Sequence, residues 1–489
     1  MFIDLLNTDC PQDLSLFCLG DWIVSIPSRI SSSPVVSIAA EFFVHSYNFH
    51  RDQSYSNRTK ALQTKGKALK ELQLSLSESQ PHPTYNLIVA TKLHYSAEVL
   101  IGVDQMGYAV HALGLLNLLK SGIVSGVDQE HFWNVVESTY VDDITMAVTA
   151  GRPSVYDHDF YLSATHPDAL SVRSLTPTQR VKTIMMHCLI QCPRLIVAIR
   201  HASRNPSDLV AIATAVTLAD NLWKLSQQQL FADFVDDCLF ESDDHIDDTV
   251  ADIIPSGIGF SSVQNMVTCT KYWMLQNLLC GCLDTLHRKF AHGFLCSNLP
   301  SPKNVHEMDT QAAKQLGRAV LGLGDKVSPL TLLRAHGPLS FSIGAWHRQV
   351  RYLRSSGQTQ SLEDHTRILA ATRMQKWILN KCNSVLERLH VSQAAEIAWI
   401  EALDSMAGEE LADWIPNKVS IDSEDGEIVM KLEYNDRRPN DVGSAQSGGE
   451  VTRTVTIRDP ANFGPQHLRD WVRGNGGLPA NENIMISYL

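Results

Sequence analysis

The chain has 489 residues, 44% of them hydrophobic and 19% charged, with glycine and proline near their usual share. That is the balance of a globular protein with a large core, and it excludes disordered and fibrous classes. Lys and Arg number 41 against 53 Asp and Glu, a net charge of −12, which argues against a duplex-binding surface built on phosphate neutralisation.

From the N-terminus, Asp4, Asp9, Pro11 and Asp13 interrupt any apolar run, so no secretory signal is expected. Helical periodicity then dominates from about residue 35 to 415. Leu62, Leu69, Leu72 and Leu76 are expected to share the buried face of one helix. After Pro81 and Pro83, residues Tyr85 to Leu119 read as two buried helices hinged near Gly102 to Gly107. Phe132, Val136, Tyr140, Ile144 and Ala147 continue the stripe until Gly151 stops it ahead of Pro153. Phe132-Trp133 reads as core, with an effector pocket as the alternative. Arg152 reads as a clamp on Asp157 or Asp159, with a ligand contact as the alternative.

Further helices are expected at 177–202, 207–241, 263–292, 309–322, 328–355, 361–389 and 391–414. Asn205-Pro206-Ser207 supplies start chemistry for the second of these. Arg348, Arg351 and Arg354 are spaced as one exposed helix face. No stretch reaches the roughly 18 uncharged apolar residues of a spanning helix, so a soluble chain inside the cell is expected. The fold class is all-α: a multi-helix bundle or array of antiparallel helices over 1–416, with a small mixed tail over 417–489. In that tail a hairpin turns at Asp425-Gly426, residues 435–450 read as a linker, and a short helix is expected at 465–473.

Between Lys224 and Lys271 there is no basic residue, while Asp233, Asp236, Asp237, Glu241, Asp243, Asp244, Asp247, Asp248 and Asp252 accumulate. Its middle, about 236–256, is expected to be a solvated loop, since that much like charge is not buried unpaired. Asp243-Asp244-His245-Ile246-Asp247 also fits the DDxxD pattern with which all-α prenyl-processing enzymes hold Mg²⁺ and a diphosphate. Asp243, Asp244 and Asp247 are then the metal ligands, but the second metal motif of those enzymes is not found downstream.

The ten cysteines are Cys10, Cys18, Cys188, Cys192, Cys238, Cys269, Cys280, Cys282, Cys296 and Cys382, and they read mostly as buried free thiols. Cys280, Cys282, His287, His292 and Cys296 are dense in soft ligands without a four-ligand spacing. Gly257-Ile258-Gly259 and Gly322-Leu323-Gly324 are isolated and open no dinucleotide site. No nucleophile elbow, phosphate loop or HExxH is present. No catalytic residue and no cofactor is assigned.

Four stretches, taken in order, resemble the middle homology region of fungal zinc-cluster transcription factors. They are 22–45 (WIVSIPSRISSSPVVSIAAEFFVH), 55–76 (YSNRTKALQTKGKALKELQLSL), the helix end HALGLLNLLKSG within 85–122, and 131–160 (HFWNVVESTYVDDITMAVTAGRPSVYDHDF). A fainter likeness continues through 271–290 and 329–349. The resemblance implies a helical regulatory domain. The six-cysteine DNA-binding cluster of that family has no counterpart, because Cys10 and Cys18 stand alone among acids. The expected role is therefore a transcriptional regulatory protein in a fungal specialised-metabolism pathway, in the nucleus and shared with the cytoplasm. It would act through protein partners (a DNA-binding regulator or the transcription machinery) or by sensing a small-molecule effector. Direct DNA binding and membrane association are not expected, and a homo-oligomer is allowed. The alternatives are an enzyme of specialised metabolism on a reused helical fold, and an interaction scaffold recruiting a basic partner.

Overall fold

Proline sets many of the helix starts: Pro27, Pro34, Pro167, Pro177, Pro302 and Pro329 each open one, the position where a missing N–H removes no helical bond. Side-chain caps set others. The computed structural model describes residues 2–3, 6, 16–77, 81–101, 105–171, 175–242, 247–290, 299–323, 329–355, 361–389, 403–404, 406–410, 418–424, 427–436 and 451–457.

Two 3-10 turns, Leu16–Leu19 and Asp21–Ser25, precede α1 (Pro27–Ile30), α2 (Pro34–Arg51), α3 (Tyr55–Ser77), α4 (Tyr85–Ile101) and α5 (Gln105–Leu119). Four shorter helices follow: α6 (Gln129–Glu137), α7 (Tyr140–Ala150), α8 (Asp159–Thr165) and α9 (Pro167–Ser171). The Thr176/Gln179 capping box starts α10 (Pro177–Arg204), and Asp208 caps α11 (Leu209–Ser226) ahead of α12 (Gln229–Cys238). A small antiparallel hairpin, β1 (Leu239–Ser242) and β2 (Gly257–Phe260), leads into α13 (Val263–Lys289), α14 (Pro302–Leu323), α15 (Pro329–Ser355) and α16 (Leu362–Arg388).

These helices pack directly on one another, so the architecture is the expected all-α array. Neighbours in sequence are neighbours in space: α2 packs on α3 and α4, and α13 to α16 pack pairwise. One continuous apolar core runs from Phe2 to Met406. The long α10 lies across it against α7, α11 and α13. By length and composition α10 is apolar enough to cross a bilayer, which the sequence reading did not register, but 72% of that stretch is buried inside the array.

Several local expectations are corrected. On α3 the buried face is Ala61, Thr64, Ala68 and Leu72, while Leu62, Leu69 and Leu76 are exposed. Small residues let α3 lie close to α2, where His45 Nδ1 meets Thr64 Oγ1 at 2.8 Å, and Lys65 pairs with Glu98 at 2.8 Å. The span 207–241 is two helices and a strand. Gln228 is extended there, the Gln227 N–H closes α11 on the Trp223 carbonyl, and the Gln227 side-chain Nε2 donates to Gln276 Oε1 (3.0 Å). No glycine or proline advertises that break. The acidic segment is less a solvated loop than expected, since β1 pairs with β2 and Val250 and Ile254 are fully buried.

In the tail, β3 (Lys418–Glu424) and β4 (Glu427–Asp436) form the predicted hairpin, in the register Glu424↔Glu427. A strand that was not predicted, β5 (Val451–Ile457), pairs with β4. The supposed linker therefore joins two paired strands: residues 435–436 belong to β4, and 437–450 lie outside the described residues. The helix proposed at 465–473 lies outside them too, as does most of 391–414.

Arg348 is the largest surprise. It is buried, not exposed: Nε donates to Asp309 Oδ2 (2.8 Å), and Nη2 to Asp309 Oδ1 (3.0 Å) and the Asn277 carbonyl (3.2 Å). Asn277 Nδ2 donates in turn to Asp309 Oδ1 (2.8 Å). Arg351 is half-buried on Asp284 (2.7 Å), and Arg354 alone is exposed. Replacing Arg348 by Met strands the Asp309 carboxylate and is expected to lower the unfolding free energy by about 3–5 kcal/mol. Urea denaturation measures this. The double change Arg348→Met/Asp309→Leu, which removes both charges, is expected to recover most of the loss.

Candidate functional site

A cleft of about 430 Å³, open mouth included, lies where the N-terminal 3-10 turns meet α6, α10, α13 and α15. Glu137, Ser138, Lys182, Lys271 and Arg334 line it, with Gly20 at its edge. Gly20 has φ 111°, and a Cβ there would stand 3.1 Å from Ser138 Cβ, so only glycine brings the turn this close.

Helix ends organise the charges. The final turn of α6 points its carbonyls inward, and two lysines meet them. Lys271 Nζ donates to the Glu137 carbonyl (3.1 Å), and Lys92 Nζ donates to the Ser138 carbonyl (3.2 Å). Cations are stabilised at this negative end of a helix. Lys271 also lies over the Tyr140 ring at 4.7 Å, and Lys92 over the Trp22 ring at 5.2 Å. From α15, Arg334 closes the first 3-10 turn, with Nε on the Cys18 carbonyl (3.0 Å) and Nη2 on the Leu19 carbonyl (2.8 Å). Lys182 of α10 reaches Glu137 Oε1 at 3.1 Å.

Four cations thus converge around one paired glutamate. Among the described residues no ion pair joins Lys92, Lys271 or Arg334 to a carboxylate; each is held by carbonyls. Burial pushes the Lys92 ammonium well below its ordinary value, and Arg334 and Lys271 push it further while Asp142 opposes them. Lys271 is lowered to about 8. Burial is the chief cause, Arg334 and Lys182 add to it, and Glu137 and Asp142 act against it. Such an arrangement can receive negative charge.

None of these residues was singled out from the sequence. The available signal was a lone lysine inside an apolar helical run, Lys92 in α4, with Lys271 similarly placed in α13. What the lysines meet comes from α6, more than thirty residues from either in the chain, as their bonds to Glu137 and Ser138 show.

The residues that were singled out lie elsewhere. Asp243 and Asp244 lie outside the described residues. Asp247 is committed to the protein: Trp377 Nε1 donates to Oδ2 (2.7 Å), Thr249 Oγ1 to Oδ1 (2.5 Å), and Lys381 Nζ approaches at 3.4 Å. Glu241 pairs with Arg318 (2.6 Å) and Asp252 with Arg373. Three carboxylates of the acidic segment are thus paired by α14 and α16 of the same chain. Among the described residues no group of three His, Cys, Asp or Glu side chains is placed to hold a metal ion.

Gly257 and Gly322 have a packing role. A Cβ on Gly257 would stand 2.7 Å from Gly322 Cα, and one on Gly322 would stand 2.1 Å from the Ile258 carbonyl oxygen. The hairpin docks on α14 backbone to backbone. Cys188, Cys192, Cys280 and Cys282 are buried free thiols, as expected, and His287 Nε2 bonds the Pro300 carbonyl (2.9 Å). His292 and Cys296 lie outside the described residues. Arg152 is a clamp, but on Asp143 (2.8 Å). That fully buried carboxylate also accepts from Ser154 Oγ (2.5 Å) and Val155 N (2.8 Å), while Asp157 faces Arg194 at 3.4 Å. Phe132 is core and Trp133 half-buried, within an aromatic cluster that includes Phe160 and Tyr161.

Set against family models, curated proteins and solved structures, the chain finds no match.

Asp247 gives a test of the acidic segment. Burial raises its pKa, but the bonds from Thr249 and Trp377 and the charge of Lys381 outweigh this and bring it down to about 2. A carboxylate depressed on folding stabilises the fold above its unfolded value of about 4. That contribution is lost as pH falls from about 4 to about 2. Asp247→Asn is expected to cost about 1–2 kcal/mol at pH 7 and progressively less through that window. Denaturant melts at pH 7, 4 and 2.5 on parent and variant read the difference.

Proposed function

We propose that this protein is a transcriptional regulator whose helical body holds a small molecule in the cationic cleft and passes its occupancy to protein partners. The cleft is the observation that carries the reading. It lies where the N-terminal turns, α6, α10, α13 and α15 meet, so a ligand there contacts elements from both ends of the helical body. A ligand that favours one arrangement of those elements shifts their population by its differential affinity. The order of the four family-like stretches in the first 160 residues supports the regulatory class, and they also supply part of the cleft wall: Asn134, Glu137 and Ser138 fall within them. Residues 1–489 hold no six-cysteine cluster and carry a net charge of −12, which supports a reading in which a partner recognises DNA. A nuclear location and a specialised-metabolism pathway belong to the same proposal.

Against the enzymatic alternative stands the Asp247 carboxylate, the one member of its motif within the described residues, which is already bonded by Thr249 and Trp377 and approached by Lys381. Fusing the full chain to a heterologous DNA-binding module is expected to change output from a matching reporter several-fold. Arg334→Met in the cleft is expected to alter that change at equal protein level. Reporter output indistinguishable from the module alone would remove the regulatory reading.

A further inference from the structure

We propose that the cleft is an anion site, built to take a small molecule through a carboxylate or phosphate group placed between Lys271 and Arg334. This rests on the cleft being the effector site and names the chemistry of its occupant.

The donors are counted first. An ammonium carries three N–H groups and a guanidinium five. Lys271 gives one to the Glu137 carbonyl, and Arg334 gives two to the Cys18 and Leu19 carbonyls. Both side chains line the cleft, so donors remain on each for a ligand. Two carboxylates share the lining, Glu137 paired with Lys182 (3.1 Å) and Asp21 accepting from Gln264 Nε2 (3.4 Å), and among the described residues neither forms an ion pair with Lys271 or Arg334.

Charge gives the second argument. Lys92, Lys182, Lys271 and Arg334 surround the cleft, and Lys92 stands behind its wall on the Ser138 carbonyl. Arg334 destabilises the charge on both Lys92 and Lys271. The α6 carbonyls hold these cations in place without cancelling them, because an aligned helix end carries only about half a charge. An anion between Lys271 and Arg334 relieves the repulsion between them. A positive cleft in a chain of net charge −12 also stands out to a diffusing anion once it is near. The enclosed space is only about 40 Å³, room for a few water-sized groups, so it suits a single carboxylate or phosphate headgroup with the rest of the molecule in the open mouth.

Binding should follow the protonation of Lys271, which lies near 8 in the empty cleft. Glu137, Asp142, Lys182, Lys92 and Arg334 are the charged groups around it, and the Tyr140 ring lies against it. An anion favours the protonated ammonium, so affinity is greatest below about pH 8 and falls above it.

The test is calorimetric titration of the full chain with inorganic phosphate, with succinate and with neutral succinamide, at constant ionic strength from pH 7 to 9. At least one anion is expected to saturate at millimolar concentration or below, with affinity falling several-fold across that range and proton uptake near pH 8. Which anion binds identifies the headgroup. Arg334→Met and Lys271→Met are expected to weaken it at least tenfold, and Lys271→Arg to retain it. If Lys271→Met does not fold, the pH dependence of the parent decides. Absence of saturation by either anion, or equal binding by a folded Lys271→Met, overturns the proposal. Succinamide binding as tightly as succinate overturns the anion but leaves a small-molecule cleft. Anion binding with a silent reporter keeps the site and removes the regulatory role.

Discussion

Arg348 sits where α13, α14 and α15 meet, and a guanidinium in that position has to be answered from every side. Asp309 of α14 supplies two acceptor oxygens, Asn277 of α13 supplies a carbonyl, and the Asn277 amide returns to Asp309. Two glycines make the room: a Cβ on Gly281 or on Gly344 would stand 3.0 or 2.9 Å from Arg348 Nη1. The planar fork thereby fixes the rotation of three helices about their own axes, because each must offer one particular atom. A second layer repeats the device nearer the surface. There Asp284 receives Arg288, Arg351 and His306, and Glu409 receives Arg288 and Lys289.

The cleft inherits its geometry from that arrangement. Arg334 lies fourteen residues before Arg348 on α15, about 21 Å along the axis. Lys271 lies six residues before Asn277 on α13, about 9 Å away by the same rise. Once the buried pair has set the rotation of both helices, the two cations face the same end of α6. The ends of short elements then do what carboxylates do in most ion pairs. Backbone carbonyls at the close of α6 and of the first 3-10 turn hold three cations while leaving their net charge in place.

Much of the helical framework was legible in the chain because its punctuation is local. Gly151 stops α7 in the left-handed conformation, α11 starts on Asp208 one residue past the expected Asn205-Pro206-Ser207 signal, and β3 and β4 pair across Asp425-Gly426. What the sequence concealed depends on partners distant in the chain. The Arg348, Arg351, Arg354 spacing has the look of a wet face, and only Asp309 and Asp284 from other helices make it a buried one. The leucines of α3 gave the wrong face because alanines, with less surface to bury, allow the closer approach to α2. Asp247 read as part of a solvated loop, with a metal ligand as the alternative, and its bond from Trp377, 130 residues away, was not legible. The cleft was hidden for the same reason, since its acceptors are main-chain atoms and carry no residue identity.

The buried thiols have a use that follows from their inertness. All eight cysteines among the described residues are buried, and burial pushes Cys18 up to about 11 and Cys188 and Cys282 up to about 12. A thiol reagent in solution therefore meets unreactive sulfur until the chain opens, and each labelling rate becomes a clock for one opening. Cys188 and Cys282 belong to long core helices and time the loosening of the body. Cys18 belongs to the 3-10 turn that Arg334 fastens from α15, so its clock times the release of that one clasp.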